Sequence, residues 1–216
     1  MKSSIVLVVV ALLAAAGLAP AARAQEQPTF NTKIASPQAP ELVAMLKGGG
    51  YVIFFRHGST PDYREPKVED YADCARQRNL NTIGRYQAFL IGEGFRNLGI
   101  PVGEVLTSPY CRCVDTARIA FGKGTIAEEL RDGNKDSTML RAKFSEKPPA
   151  GTNRILVGHG GGGGMLGDEF LREAEAMVVR PLGDGKFELI ARVRAEQWAQ
   201  FEDRNRLPPP GAPRAE

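Results

Sequence analysis

The sequence predicts a three-layer α/β sandwich: a mostly parallel central sheet, helices on both faces and an antiparallel C-terminal hairpin. Three observations carry this. Tyr51 to Phe55, Val102 to Thr107 and Arg154 to Gly158 are short apolar runs, rich in β-branched and aromatic residues, as strands covered on both faces require. Stretches with helical apolar spacing lie between them, and alternation of the two element types favours a parallel sheet between helical layers. Two final runs, Ala176 to Arg180 and Phe187 to Val193, are separated by Pro-Leu-Gly-Asp-Gly, a turn that joins antiparallel neighbours.

With 216 residues and 43% hydrophobic composition, the chain suits one domain, expected over residues 41–206. Its beginning reads as an address. Lys2 precedes an almost unbroken aliphatic run from Ile5 to Leu18, and Ala22-Arg-Ala24 before Gln25 has the small-x-small pattern of a signal-peptidase site, so residues 1–24 are expected to be a cleaved secretory signal. The apolar run is shorter than the roughly 20 residues a spanning helix needs, so no stable membrane anchor is expected. No cysteine stands near the cleavage site, which argues against lipoprotein processing. Loss of Lys2 and Arg23 lowers the formal charge from +3 to +1, and neither a nucleic acid nor a membrane surface is called for as a partner. No protein partner is implied either.

Residues 25–40 are polar and proline-containing, a flexible lead-in. Glu41 to Lys47 has helical spacing and stops at Gly48-Gly-Gly50. Thr60 to Arg78 is charged and broken by prolines, an irregular insert of the kind that shapes substrate access. A helix capped by Asn81 or Thr82 runs to Leu98 and stops at Gly99, with Ile83, Tyr86, Phe89, Leu90 and Leu98 expected on or near one face. Gly92 and Gly94 oppose it, each costing about 1 kcal/mol relative to alanine. Ser108-Pro109 reads as cap followed by first helical residue, with the helix running to Phe121 before Gly122. Ile126 to Ser137 is polar and turn-like, Thr138 to Phe144 a short helix. Trp198 closes the core from a last helix, and residues 207–216 form a proline-rich tail expected to be disordered.

The chemistry gathers at strand ends. The chain has two histidines, and each directly follows an apolar strand, in Phe55-Arg-His-Gly58 and Val157-Gly-His-Gly160. If those strands are parallel neighbours, both imidazoles meet at the carboxyl edge of the sheet, where open α/β sheets bind ligands. Arg56 offers a planar fork of donors for phosphate or carboxylate, and a neutral imidazole beside it can act as nucleophile or base. Gly58 permits a sharp turn and close approach of a ligand to main-chain amides. Arg112 falls in the first turn of a helix, where the positive helix end already favours an anion. Two histidines without carboxylates at ligand spacing make a poor zinc site, so neither a metal nor another cofactor is expected. No Gly-x-Ser-x-Gly elbow accompanies His159-Gly-Gly-Gly, and no Gly-Lys-Ser/Thr follows the glycine run; this disfavours an α/β-hydrolase and a P-loop.

Arg56-His57-Gly58, then Ser108-Pro-x-x-Arg112 with Thr116-Ala117, then Gly158-His159, in that order, resemble the histidine phosphatase superfamily, the branch related to cofactor-dependent phosphoglycerate mutase. The resemblance spans roughly Tyr51 to Trp198 and implies a phosphoglycerate mutase-like fold. It also implies that His57 takes the phosphoryl group as a phosphohistidine, that Arg56, Arg112 and His159 neutralise the phosphoryl oxygens, and that an acid following the Arg-bearing helix protonates the leaving group. Asp132 is the first candidate for that acid, with Glu128, Glu129 and Asp136 competing. A free imidazole titrates near 6.5, so His57 needs no large shift to be neutral. Ser59-Thr-Pro-Asp-Tyr63 lacks the asparagine that mutases often carry there, which weakens a mutase reading. Gly160 to Gly164 replaces a better-formed segment, and a mobile pocket wall would lower activity.

Cys111 and Cys113 stand two apart on a helix and point to different sides, so only one can meet Cys74; three buried thiols are the alternative. The resemblance to secreted members implies Cys74 with Cys111. The expected function is a metal-independent phosphomonoesterase acting on a phosphorylated small molecule or an envelope glycan or lipid, secreted to the periplasm. A phosphate-binding or interaction protein that keeps the pocket without turnover is the competing class.

Overall fold

The computed structural model describes residues 39–65, 67–131, 138–161 and 170–205. The expected leader and C-terminal tail, Asp132, Asp136 and residues 162–164 of the glycine run lie outside these residues. In chain order the elements are α1 (Ala39–Gly48), β1 (Val52–Arg56), α2 (Thr82–Leu98), β2 (Val102–Thr107), α3 (Cys111–Phe121), β3 (Thr125–Ile126), α4 (Thr138–Ser145), β4 (Asn153–Gly158), β5 (Ala176–Gly183), β6 (Lys186–Val193) and α5 (Ala195–Asn205). They form one six-stranded sheet in the order β3-β2-β4-β1-β5-β6. The first four in that order run parallel, and the hairpin β5-β6 adds antiparallel strands beside β1. The expected fold class holds.

Strand alternation builds two cores. Ile53 and Phe55 of β1 join Ile155 and Val157 of β4 under α1, α2, α3 and α5, while Val52 and Phe54 join Leu156, Leu130 and Phe144 on the α4 side. Burial of aliphatic and aromatic side chains of this size stabilises by roughly 1.5–3 kcal/mol each. Aromatic contacts concentrate the larger core: Phe95 lies 4.8 Å from Trp198 and 5.3 Å from Phe121, and Phe55 within 6.2 Å of all three (ring centroids). Trp198 indeed closes this core from the last helix.

Three sequence expectations are corrected. In α2, Asn81 is the cap, accepting from Gly84 N at 2.8 Å, but Ile83, Tyr86 and Phe89 are exposed. The buried face is Gly84, Ala88, Ile91, Gly92, Gly94, Phe95 and Leu98. Small residues face inward because neighbours come too close for larger ones: a Cβ on Gly92 would stand 2.3 Å from the Ala120 carbonyl, and one on Gly94 2.5 Å from Trp198 Cβ. The glycines that argued against the helix are what lets it pack. In α3, Tyr110 rather than Ser108 holds the cap position, and it makes no side-chain cap bond. The stretch read as turn-like from Ile126 instead starts inside a short parallel strand β3 (Thr125–Ile126), followed by a 3-10 turn over Glu128–Leu130.

In an exposed helix, glycine to alanine gains about 1 kcal/mol. Here Gly92→Ala and Gly94→Ala are each expected to lose roughly 1–3 kcal/mol by overpacking, read as a lower urea midpoint at unchanged slope. A raised midpoint would refute the close approach.

Candidate active site

The site lies at the carboxyl edge of β1, β4 and β2. Arg56 pairs in register with Gly158, so the residues that follow them, His57 and His159, leave the sheet side by side, ring centroids 5.6 Å apart. Two close approaches fix the corner after His57. A Cβ on Gly58 would stand 2.5 Å from the Gly84 carbonyl, and one on Gly84 2.1 Å from the Ser59 carbonyl, so both must be glycine for α2 to seat against the loop. Thr116 ties the corner to α3: its Oγ1 accepts from Gly58 N at 3.0 Å and donates to the Arg112 carbonyl at 2.7 Å.

His57 is 2% exposed. Its Nδ1 lies 2.8 Å from the Gly58 carbonyl, which can only accept, so the proton sits on Nδ1 and the lone pair is on Nε2. Burial holds its pKa well below 6.5; the Gly58 bond opposes this, and the charges of Arg112, His159 and Arg56 add to it. The imidazole is therefore neutral over a wider range than a free histidine would be.

Arg112, 4% exposed, donates from Nη1 to Glu65 Oε1 at 2.7 Å, stacks on Tyr110 at 4.2 Å, and brings Nη2 to 3.5 Å from His159 Nδ1. Because that guanidinium can only donate, His159 accepts at Nδ1 and, when neutral, donates from Nε2 to Ser108 Oγ at 3.0 Å. Ser108 thus holds a histidine instead of capping a helix. Arg56 donates from Nη1 to the Leu171 carbonyl at 2.9 Å and has Nη2 3.7 Å from Glu173, which also accepts from Thr60 N and Oγ1. Burial lowers the Arg56 pKa from its usual value, opposed by Glu173. Burial pushes the Cys113 thiol up to about 12, so it stays protonated and unreactive.

The insert reaches the site through a disulfide between Cys74 and Cys111, the first residue of α3. Beside it, Gln77 Oε1 accepts from Cys111 N, and its Nε2 donates to the Tyr71 carbonyl. By the chain-entropy model, a loop closed over a separation of 37 residues stabilises by about 4 kcal/mol.

Four of the five expected site residues, Arg56, His57, Arg112 and His159, are brought together. The fifth, Asp132, lies outside the described residues, as does Asp136. Glu128 is exposed and paired with Arg131 at 3.4 Å, and Glu129 is half-buried. The sequence reading missed Glu65, Glu173 and the role of Ser108. Glu65 sits in the irregular insert and Glu173 beyond the glycine run, where no periodicity marks a residue.

The corner sets a buried, neutral histidine beside two arginine forks, an arrangement chemically suited to an anion. Residues 52–135 match the family model of the histidine phosphatase superfamily (branch 1). No curated protein gave a match. Similar solved structures include a protein histidine phosphatase SixA complexed with tungstate (17% identity, 68% of this chain and 98% of that one, TM-score 0.49). Others are phosphoglycerate mutase from Thermus thermophilus (18% identity, 66% and 98%, TM-score 0.43) and phosphoserine phosphatase from Entamoeba histolytica, a mutant bound to phosphoserine (14% identity, 68% and 98%, TM-score 0.44).

The depressed His57 pKa has a stability consequence. Below about pH 6.5 the unfolded chain takes a proton that folded His57 refuses, so stability falls as pH drops from there toward the lower folded value. The melting temperature of the wild type is expected to fall more between pH 7 and pH 5 than that of His57→Asn; equal falls would mean that His57 titrates normally.

Proposed function

We propose that this chain is a metal-independent phosphomonoesterase working through a phosphohistidine at His57. The observation that carries the reading is the neutral His57, its Nδ1 proton bound to the Gly58 carbonyl and its Nε2 lone pair available, in a corner shared with Arg56, Arg112 and His159. Phosphoryl transfer asks chiefly for positioning and charge neutralisation, which arginine forks supply. His57 Nε2 attacks phosphorus as the P–O bond to the leaving group breaks. The departing oxygen takes a proton from an acid, and the same carboxylate then accepts a proton from the water that hydrolyses the phosphohistidine.

Asp132 is the acid we favour. Two residues before it, Leu130 is buried, with Cδ2 3.8 Å from where a Cβ on Gly158 would stand, and Gly158 adjoins His159. Glu65 is a weaker candidate because its carboxylate is committed to Arg112. The substrate we favour is a phosphorylated small molecule or an envelope glycan or lipid. A cavity of about 640 Å³ within the insert, formed by Lys67, Glu69, Asp70, Asp73, Arg76 and Gln77 among others, is lined by none of the four site residues. Secretion to the periplasm after removal of residues 1–24 fits the Cys74–Cys111 disulfide. Among the described residues, no helix is long and apolar enough to cross a membrane.

The test is hydrolysis of p-nitrophenyl phosphate in excess chelator, with a search for acid-labile, base-stable phosphate on quenched enzyme. His57→Ala is expected to abolish turnover and the phosphoenzyme; turnover that survives His57→Ala would sink the mechanism. No turnover by well-folded wild type, repeated on sugar phosphates, would favour a phosphate-binding protein instead. Asp132→Asn is expected to slow alkyl phosphates far more than p-nitrophenyl phosphate, whose leaving group needs no proton. Equal losses on both would remove Asp132 as the acid.

A further inference from the structure

Five side-chain nitrogen or oxygen atoms among the described residues are buried without a hydrogen-bond partner. Three are arginine Nε atoms: Arg56, Arg112 and Arg78. The first two belong to the candidate site. Arg78 ends the insert, directly after Gln77, whose side chain accepts from the first amide of α3. Its own backbone amide donates to Glu65 Oε1 at 3.1 Å, the same oxygen that receives Arg112 Nη1. One carboxylate oxygen therefore holds Arg78 and Arg112 together. The Arg78 charge also lies near enough to Arg56 to lower its pKa more than Arg112 does. The ion pairs that hold the two site arginines are to Glu173 for Arg56 and Glu65 for Arg112; among the described residues the Arg78 guanidinium has none.

A buried donor without an acceptor costs roughly 1–3 kcal/mol, more when charged. Three such donors in one corner, on residues that always carry charge, are matched by a ligand with several acceptor oxygens and at least two negative charges. A phosphoryl group is such a ligand. We propose that Arg78 is a third arginine of the phosphoryl pocket, binding phosphate oxygens together with Arg56 and Arg112. This rests on the pocket described above. It gives the insert a chemical role: Cys74–Cys111 and Gln77 pin to α3 a segment that delivers a phosphate ligand.

The test is calorimetric titration of inorganic phosphate into wild type, Arg78→Gln and Arg78→Lys, with melting temperature and the single free thiol as checks on folding. Arg78→Gln is expected to weaken phosphate binding roughly 10- to 100-fold, the range for a hydrogen bond to a charged group. Arg78→Lys, which keeps charge but not the fork, should recover part of the loss. Should Arg78→Gln fail to fold, Arg78→Lys decides: several-fold weaker binding supports the assignment and wild-type affinity overturns it. Unchanged phosphate affinity with a raised KM for phosphoserine would likewise overturn it, making Arg78 a leaving-group contact. A wild type that hydrolyses nothing, yet binds phosphate in an Arg78-dependent way, keeps this assignment and sinks the catalytic one; absence of phosphate affinity in the wild type sinks both.

Discussion

The parallel register of β1 on β4, Arg56 opposite Gly158, is the constraint on which the site depends. Side chains alternate across a strand, so a slip of one residue would exchange the two faces of β1 and carry Phe54 and Phe55 into the wrong cores. The register is held by burial far from the chemistry, yet it sets the spacing of His57 and His159. A second lock stands at the other end of the sheet. Asn153, fully buried, donates to the carbonyls of Leu46 and Pro101 and accepts from Tyr51 N, joining α1, β1 and the start of β2. Rigidity at one end of the strands becomes positional accuracy at the other.

Gathering positive charge at a buried edge is unfavourable, and the fold meets this with carboxylates from outside the sheet. Glu65 comes from the insert and Glu173 from the segment leading into β5. Buried ion pairs add little net stability, but losing one partner of a pair as buried as Arg112–Glu65 leaves an unpaired charge and costs about 3–5 kcal/mol; the longer, partly exposed Arg56–Glu173 pair costs less. Glu65 and Glu173 therefore read as holders of the arginines rather than as sources of stability. The segment carrying Glu173 is itself pinned: Ala174 N donates to the His57 carbonyl, and Ala174 adopts φ 58°, a left-handed conformation that a non-glycine residue keeps only when its surroundings impose it. Glu175 completes the clamp through Arg192 and the Glu175 carbonyl, which accepts from Arg56 N.

Reading α2 from apolar residues alone chose the wrong face, because the strongest apolar triplet, Ile83, Tyr86 and Phe89, is exposed and glycines are inside. Periodicity measures hydrophobicity, while helix approach distance is decided by the neighbour; Trp198 and Ala120 are far away in sequence. Ser108-Pro109 has the chemistry of a helix cap, but His159, 51 residues later, competes for its hydroxyl. The neutrality of His57 was legible from its ordinary pKa, whereas its extra depression was not, since burial comes from the assembled corner.

The sequence by itself determined the order of the elements other than β3, the two histidines at strand ends and the arginine at the start of α3, because strand burial, turn chemistry and helix termini are local properties written in short stretches. Only the tertiary structure decided which carboxylates hold the arginines, that Cys111 rather than Cys113 meets Cys74, and that the insert carrying Glu65 and Arg78 folds over the site. Those contacts join residues tens of positions apart in irregular chain, where no repeating pattern encodes distance and three-dimensional proximity alone selects the partner.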